Sequence, residues 1–204
     1  MSKVTEVELR GRVVDSSVEE LKTRLALAGV LKEIKKRVLI DYTTLQEGET
    51  IEGRTTDIRI RNTNGVSEII VKTGKWGGSD VRNEHKATVN DSFDSLVRIM
   101  NLLGHKKGVL CVRNSEVYQL GEVEISVVEV PGHSHYFEAE IETGEESESE
   151  ELKDKILATL SSLNLTPFSD EEFYDYIKEL NLNANDVFDS NEEPEDFFSK
   201  KFGI

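Results

Sequence analysis

The sequence predicts an α+β fold: a strand-rich unit over residues 1-143, followed by an acidic helical extension over residues 144-204. Three observations predict it. From Lys3 to Glu142, charged and apolar residues alternate again and again with a period of two, the mark of strands with two unlike faces. Asn64-Gly65 separates two such runs by the residue pair that favours a tight hairpin. From Thr143 to Ile204 there are 17 acidic and 5 basic residues, a net of −12, while the preceding residues carry only −3 of the total −15. In that acidic stretch the apolar residues recur at helical spacing.

The totals bound the function. A chain of 204 residues is one ordinary domain with an appendage and can bury a real core. The net-acidic surface argues against nucleic acid or an anionic membrane as a partner. Cys111 is the single cysteine, so there is no intrachain disulfide. The first 30 residues lack a basic-then-apolar leader, and no apolar run approaches membrane-spanning length; the expectation is a cytoplasmic protein.

Taken in order, Lys3 to Val14 alternates as a strand. Ser16 and Ser17 ahead of Glu19 and Glu20 read as a capping box opening a helix over roughly 17 to 28, which stops near Gly29. Residues 33 to 45 read as a strand and 46 to 53, with Gly48 and Gly53, as a loop. Residues 55 to 61 and 66 to 72 are the arms of the Asn64-Gly65 hairpin, with Asp57, Arg59 and Arg61 sharing one face. A glycine-rich loop, Gly74 to Gly78, leads to a strand over 80 to 89. Asp91 or Ser92 caps a helix whose stripe is Phe93, Leu96, Val97, Met100 and Leu103 and which ends at Gly104. Strands follow over 108 to 114, over 117 to 120 with 123 to 130, and over 136 to 142, with Pro131-Gly132 turning before the last. Glu145 to Glu151 is an acidic run that reads as a solvated linker or a helix start. Leu152 to Leu163 reads as a helix. Ser169 with Glu172 is a capping box for a second, carrying Phe173, Tyr176, Ile177 and Leu180. From Asn181 on, the acidic, asparagine-rich composition predicts loose order, with Phe197, Phe198 and Phe202 able to dock.

The unusual feature is the polar face of the strands, which is ionic on one strand after another: Glu6, Glu8 and Arg10; Arg59 and Arg61; Lys72; Arg82, Glu84 and Lys86; Arg113; Glu122 and Glu124; Glu138, Glu140 and Glu142. Two readings fit. In one, an open sheet shows this face to water and its cross-strand ion pairs contribute about 0.2–1 kcal/mol each. In the other, the sheet closes into a barrel with the ionic face inward. A lone ion in a dry interior costs on the order of 20 kcal/mol. Such a lumen must therefore be wet, internally paired, and open to a polyanion with its metal, since carboxylates hold hard cations and Arg and Lys hold phosphate oxygens.

The ordered set Glu-x-Glu-x-Arg at 6 to 10, Arg-x-Arg at 59 to 61, Ile-Val-Lys at 70 to 72, Arg-x-Glu at 82 to 84 and Glu-x-Glu at 138 to 140 resembles the CYTH superfamily. These are the triphosphate tunnel metalloenzymes: class IV adenylyl cyclases, thiamine triphosphatases and inorganic triphosphatases. The resemblance covers roughly residues 3 to 142. It implies a closed eight-stranded antiparallel β-barrel with flanking helices and a Mg²⁺- or Mn²⁺-dependent site in the lumen. Carried over by motif, Glu6, Glu8, Glu138 and Glu140 are metal ligands or position the attacking water, and Glu6, Glu8 and Lys72 are the catalytic set. Arg10, Arg59, Arg61, Lys72, Arg82 and Arg113 line the triphosphate path, and Glu84 orients its basic neighbours. The chain departs from the family pattern at Arg10, where Lys is usual, and at Ser115, where the second residue of a Lys-x-Arg pair is usual. It departs again at Val128, where the family often has a metal-binding Asp, and at Leu39-Ile40, where an aromatic pair marks the thiamine triphosphatases.

The implied function is a metal-dependent triphosphate phosphohydrolase acting on inorganic triphosphate or a nucleoside triphosphate. The alternatives are an adenylyl cyclase forming cyclic AMP, and a non-catalytic polyphosphate or nucleotide binder. The extension carries no family motif; packing on the barrel, capping its mouth and mediating a homodimer all stay open. Other residues have plainer readings. His133 and His135 are solvated turn residues before they are metal ligands. Lys75, in a loop without Walker spacing, is a flexible-turn residue within reach of phosphate. Cys111 is a small strand residue, Lys106 and Lys107 follow a helix end, and Phe173 and Tyr176 pack a helix. Whether Glu122 and Glu124 face the lumen depends on a register the sequence leaves open.

Overall fold

The computed structural model describes residues 4–44, 50–143 and 149–204. Its chain runs β1 (Val4–Val13), α1 (Val18–Ala28), β2 (Val30–Asp41), β3 (Thr56–Thr63), β4 (Val66–Thr73), β5 (Ser79–Val89), α2 (Phe93–Leu102), β6 (Lys107–Leu120), β7 (Val123–Val130), β8 (Ser134–Thr143), α3 (Ser149–Ser162), α4 (Asp170–Asn183), β9 (Asp186–Asp189) and α5 (Phe197–Phe202). The strands follow one another in the order β2-β3-β4-β5-β1-β8-β7-β6, and β6 pairs back to β2. Every one of these pairings is antiparallel. The fold is thus a closed eight-stranded antiparallel barrel with flanking helices, and closure leaves the ionic strand face no direction but inward.

The apolar faces point outward and are covered by helices. Val7, Leu9, Ile125, Phe137 and Ala139 pack against Leu21 and Leu25 of α1 and Leu152, Ile156 and Leu160 of α3. On the other flank, Ile40, Ile60 and Leu110 pack against Phe93, Leu96 and Met100 of α2 and Phe198 of α5. Each such fully buried side chain contributes about 1.5–3 kcal/mol. The β3–β4 hairpin turns at Asn64 and Gly65, with φ of 52° and 88°, the left-handed pair that the right-handed strand twist requires. Gly11 is where the extension touches β1. A Cβ there would lie 2.4 Å from the Thr166 carbonyl oxygen, so the close approach admits only glycine.

Several expectations are corrected. Ser17 precedes α1 but caps nothing: its hydroxyl donates to the Val14 carbonyl at 2.7 Å in a 3-10 turn, so it has turned away from the helix amides. β2 begins at Val30, because it pairs with Gln119 there, and stops at Asp41, whose carboxylate accepts from the Thr43 and Thr44 amides. Residues 108 to 120 form one long strand, held along its length by β2 and over its last half by β7. Leu103 falls off the α2 stripe and is exposed, the chain turning at Gly104 with φ 98°. The largest correction is the tail. β9 pairs with residues 107–110 of β6, an edge that β7 does not reach, and α5 docks by its phenylalanines. By contrast, Ser92 caps α2, accepting from the Ser95 amide, and Ser169 with Glu172 forms the full capping box of α4. Residues 145–148 of the acidic run and 46–49 of the predicted loop lie outside the described residues.

Candidate active site

Two opposed walls make the lumen. Around an eight-membered ring β3 lies four strands from β8, so the two face each other. On the acidic wall the register sets Glu8 beside Glu140, Glu6 beside Glu142 and Arg10 beside Glu138, while Glu124 of β7 stands beside Glu140. On the facing wall are Arg37 of β2, Arg59 and Arg61 of β3 and Lys72 of β4. Between the walls is a cavity of about 690 Å³ lined by these residues together with Glu84 and Arg113. This volume lies in the range of small-molecule sites.

The carboxylates of Glu6, Glu8 and Glu140 lie within 4.8 Å of one another; among the described residues they are the acidic group close enough to share a cation. Burial, then the Glu138 and Glu6 charges, pushes the Glu8 carboxyl up to about 8 against the pull of Arg10. Glu140 is likewise pushed well above the carboxylate range by burial and by Glu6 and Glu8. Glu6 goes the other way: burial would raise it, but Lys72 holds it down. Lys72 donates to Glu6 and sits 3.1 Å from Glu84. Glu138 stands outside the trio, 3.7 Å from Arg10 Nε. An all-oxygen set crowded enough to resist ionisation fits a hard divalent cation, which would relieve the repulsion.

The cations are held from behind. Arg59 is gripped by Asp57 through Nε at 2.8 Å and through Nη2. Arg61 Nε donates to Glu68 at 2.7 Å. Arg10 donates to Glu8, to Asp80 at 2.7 Å and to the Gly77 carbonyl at 3.0 Å, with its guanidinium 5.2 Å from the centre of the Phe173 ring. Arg113 donates to Asn185 at 2.8 Å and to its own neighbour Val112. Arg37 has its pKa lowered by burial and by Arg61, so the basic wall carries charge that its neighbours do not fully offset. Arg82 differs: it is 2 % exposed, lies outside the cavity lining, and spans Asp57 and Asp80.

The α4 helix closes one end of the lumen. Phe168, Phe173, Tyr176, Ile177 and Leu180 line the cavity beside Trp76, while also packing on one another, so the two aromatics expected only to pack the helix do both. Ser115 and Val128, two of the positions that depart from the pattern the chain resembles, also line the cavity, whereas Ile40 packs in the outer core. Glu124 faces the lumen; Glu122, in the β6–β7 turn, also borders the cavity and pairs with Lys155. His135 bonds Asp15, and His133 bonds Ser134 and lies 3.4 Å from Glu179; among the described residues the two histidines join no common ligand group. Lys75 pairs with Asp170 of α4 at 2.6 Å, and Lys107 with Asp189 at 2.8 Å. Cys111 lines the cavity, but burial pushes its thiol up to about 11, which disqualifies it as a nucleophile at neutral pH.

Sequence reasoning missed Asp41, Arg54, Asp57 and Asp80. Asp57 was placed on the right face without a role. Its signal was there: Asp57-x-Arg59 repeats the carboxylate-guanidinium spacing of Glu8-x-Arg10. Arg54 bonds Asp41 and lies 4.5 Å from the centre of the Trp76 ring, a loop contact with no periodicity to betray it.

No protein-family model matches the chain, and no curated protein sequence matches it. Solved structures do. The PH1819 protein from Pyrococcus horikoshii superposes with a TM-score of 0.70 at 22% identity, covering 85% of this chain and 98% of that one. A putative adenylate cyclase from Vibrio parahaemolyticus gives 0.60 at 18%, covering 85% and 97%. A putative adenylyl cyclase from Hippeastrum, described as having a dominant triphosphatase activity, gives 0.52 at 17%, covering 81% and 90%. The likeness is one of fold: this chain has the barrel of these proteins. No helix among the described residues is long and apolar enough to cross a membrane.

Proposed function

We propose that the chain is a triphosphate tunnel metalloenzyme of the CYTH superfamily, and that it hydrolyses the phosphoanhydride of inorganic triphosphate or a nucleoside triphosphate. The observation that carries the reading is the carboxylate trio Glu6, Glu8 and Glu140, with Lys72 bonded to Glu6, facing Arg59 and Arg61 across the cavity. Mg²⁺ or Mn²⁺ would be held by that trio, and when bound it supplies charge neutralisation and a more acidic water. The chain's own groups do the rest. Arg59, Arg61 and Lys72 take phosphate oxygens and offset the charge that builds on the leaving group. Arg10, on the acidic wall, is held by Asp80 and Phe173. Glu138, outside the trio, accepts a proton from water.

Two alternatives keep a specific observation each. The apolar end made by α4 offers space for a base, as a cyclase needs. Val128, where relatives often carry a metal-binding Asp, favours a tunnel that binds without turnover. A time course with tripolyphosphate, ATP and thiamine triphosphate, with and without Mg²⁺ or Mn²⁺, separates them. Metal-stimulated release of phosphate is expected. Cyclic AMP as sole product would replace hydrolysis with cyclisation, and tight calorimetric binding of tripolyphosphate without turnover would leave a binder.

A further inference from the structure

Arg82 sits in the Arg-x-Glu motif that by resemblance lines the phosphate path, yet it faces no cavity. Its Nη1 donates to Asp57 at 3.1 Å and its Nε lies 3.3 Å from Asp80. Asp57 and Asp80 are each 1 % exposed. Each also grips a second guanidinium that does face the lumen: Asp57 holds Arg59, and Asp80 holds Arg10. Asp80 further accepts from the Gly77 amide, and Arg54 Nη2 comes within 3.6 Å of Asp57, so the cluster is tied to the loop before β5 and to the segment ahead of β3. Arg10 and Arg59 thus stand at the two ends of one run of ion pairs, Arg10–Asp80–Arg82–Asp57–Arg59. Two aspartates joined through one buried guanidinium set the position of each relative to the other.

We propose that Asp57, Arg82 and Asp80 form a buried clasp that fixes Arg10 and Arg59, one at each of its ends, in position for the phosphate chain. The three are positioning residues: none touches the ligand. The donor fork matters as well as the charge, since a guanidinium spans two carboxylates and an ammonium meets them as a point. Nε and Nη2 of Arg82 lack a hydrogen-bonded acceptor in the protein, so the clasp is held by few bonds and is sensitive to change.

The inference rests on the tunnel reading, and the test separates the two. Side-chain NMR of the arginine Nε–Hε groups is recorded on the full chain with and without metal-free tripolyphosphate. The Arg10 and Arg59 signals should move on titration while the Arg82 signal stays. In Arg82→Lys, the ligand-free signals of Arg10 and Arg59 should both shift or broaden, with KM for tripolyphosphate raised at least tenfold and kcat within threefold. In Asp80→Asn, which keeps the shape of the side chain, Arg10 should be released while Arg59 keeps its signal. An Arg82 signal that moves with ligand as far as that of Arg59 overturns the clasp, as do unchanged Arg10 and Arg59 spectra in Arg82→Lys. If tripolyphosphate moves no arginine and is not hydrolysed, the function reading falls, and the ligand-free spectra of the variants still decide the clasp.

Discussion

Replacing Phe198 by alanine tests whether the far end of the acidic extension belongs to the folded unit. Phe198 is wholly buried, with ring centres at 4.8 Å from Phe93, 5.2 Å from Phe188 and 4.9 Å from Phe197. Its amide also donates to Asp94 of α2 at 2.9 Å, a bond that alanine keeps. Deleting a buried phenylalanine costs about 3–5 kcal/mol, and the edge-to-face pairs with Phe93 and Phe197 place this site at the upper end. For a chain of this size each kcal/mol lowers Tm by roughly 2–4 °C, so a fall on the order of 10 °C is expected. Urea unfolding of wild type and Phe198→Ala gives the free energy, and limited proteolysis shows whether 186–204 is released first. A loss below about 1 kcal/mol, with the same proteolysis pattern, would refute the argument that α5 is a structural part of the α2 flank.

Three further outcomes are expected. Glu140→Gln removes one of the three proposed cation ligands and should weaken Mn²⁺ binding by at least tenfold in calorimetry, with the far-UV spectrum unchanged. Mn²⁺ affinity should rise with pH between about 6 and 8. Glu8 and Glu140 have raised pKa values, so the metal-free protein holds protons there that binding must expel. The same raised groups make the metal-free protein less stable as pH climbs through that window, because the folded state then binds more protons than the unfolded one. Calorimetry in two buffers of different ionisation heat counts the protons, and a count of zero contradicts the crowded trio. Cys111 should resist iodoacetamide at pH 7.5 in the folded protein and react once urea unfolds it, as its burial and raised pKa require.

The barrel was legible because a two-residue period carries both kinds of information at once: which face is inside, and that the inside is charged. Asn64-Gly65 and Ser169 with Glu172 were legible because hairpin and cap chemistry is local. What escaped needs distant partners. β9 is four residues long and becomes a strand only because β6 runs past the end of β7 and leaves an edge to fill. Ser17 looks like a cap, and a neighbouring carbonyl takes its hydroxyl instead. Arg82 bears the expected charge at the expected spacing, but Asp57 of β3, 25 residues away in the chain, joins its strand neighbour Asp80 in claiming it. A linear pattern states which face a side chain takes; how deep it lies behind that face is decided by the neighbours.

Lys72, caught between Glu6 and Glu84, has a consequence for how guests enter. In the resting lumen Arg10, Arg59, Arg61 and Lys72 are each already paired with a carboxylate of the chain. Under the proposed function, a polyphosphate that drew Lys72 away would strip Glu6 of its counter-charge, and a divalent ion would be the natural replacement. An ion seated first on Glu6 would loosen Lys72 in turn. Each visitor would prepare the room for the other, so the preassembled metal–polyphosphate complex would be welcomed where either alone met resistance.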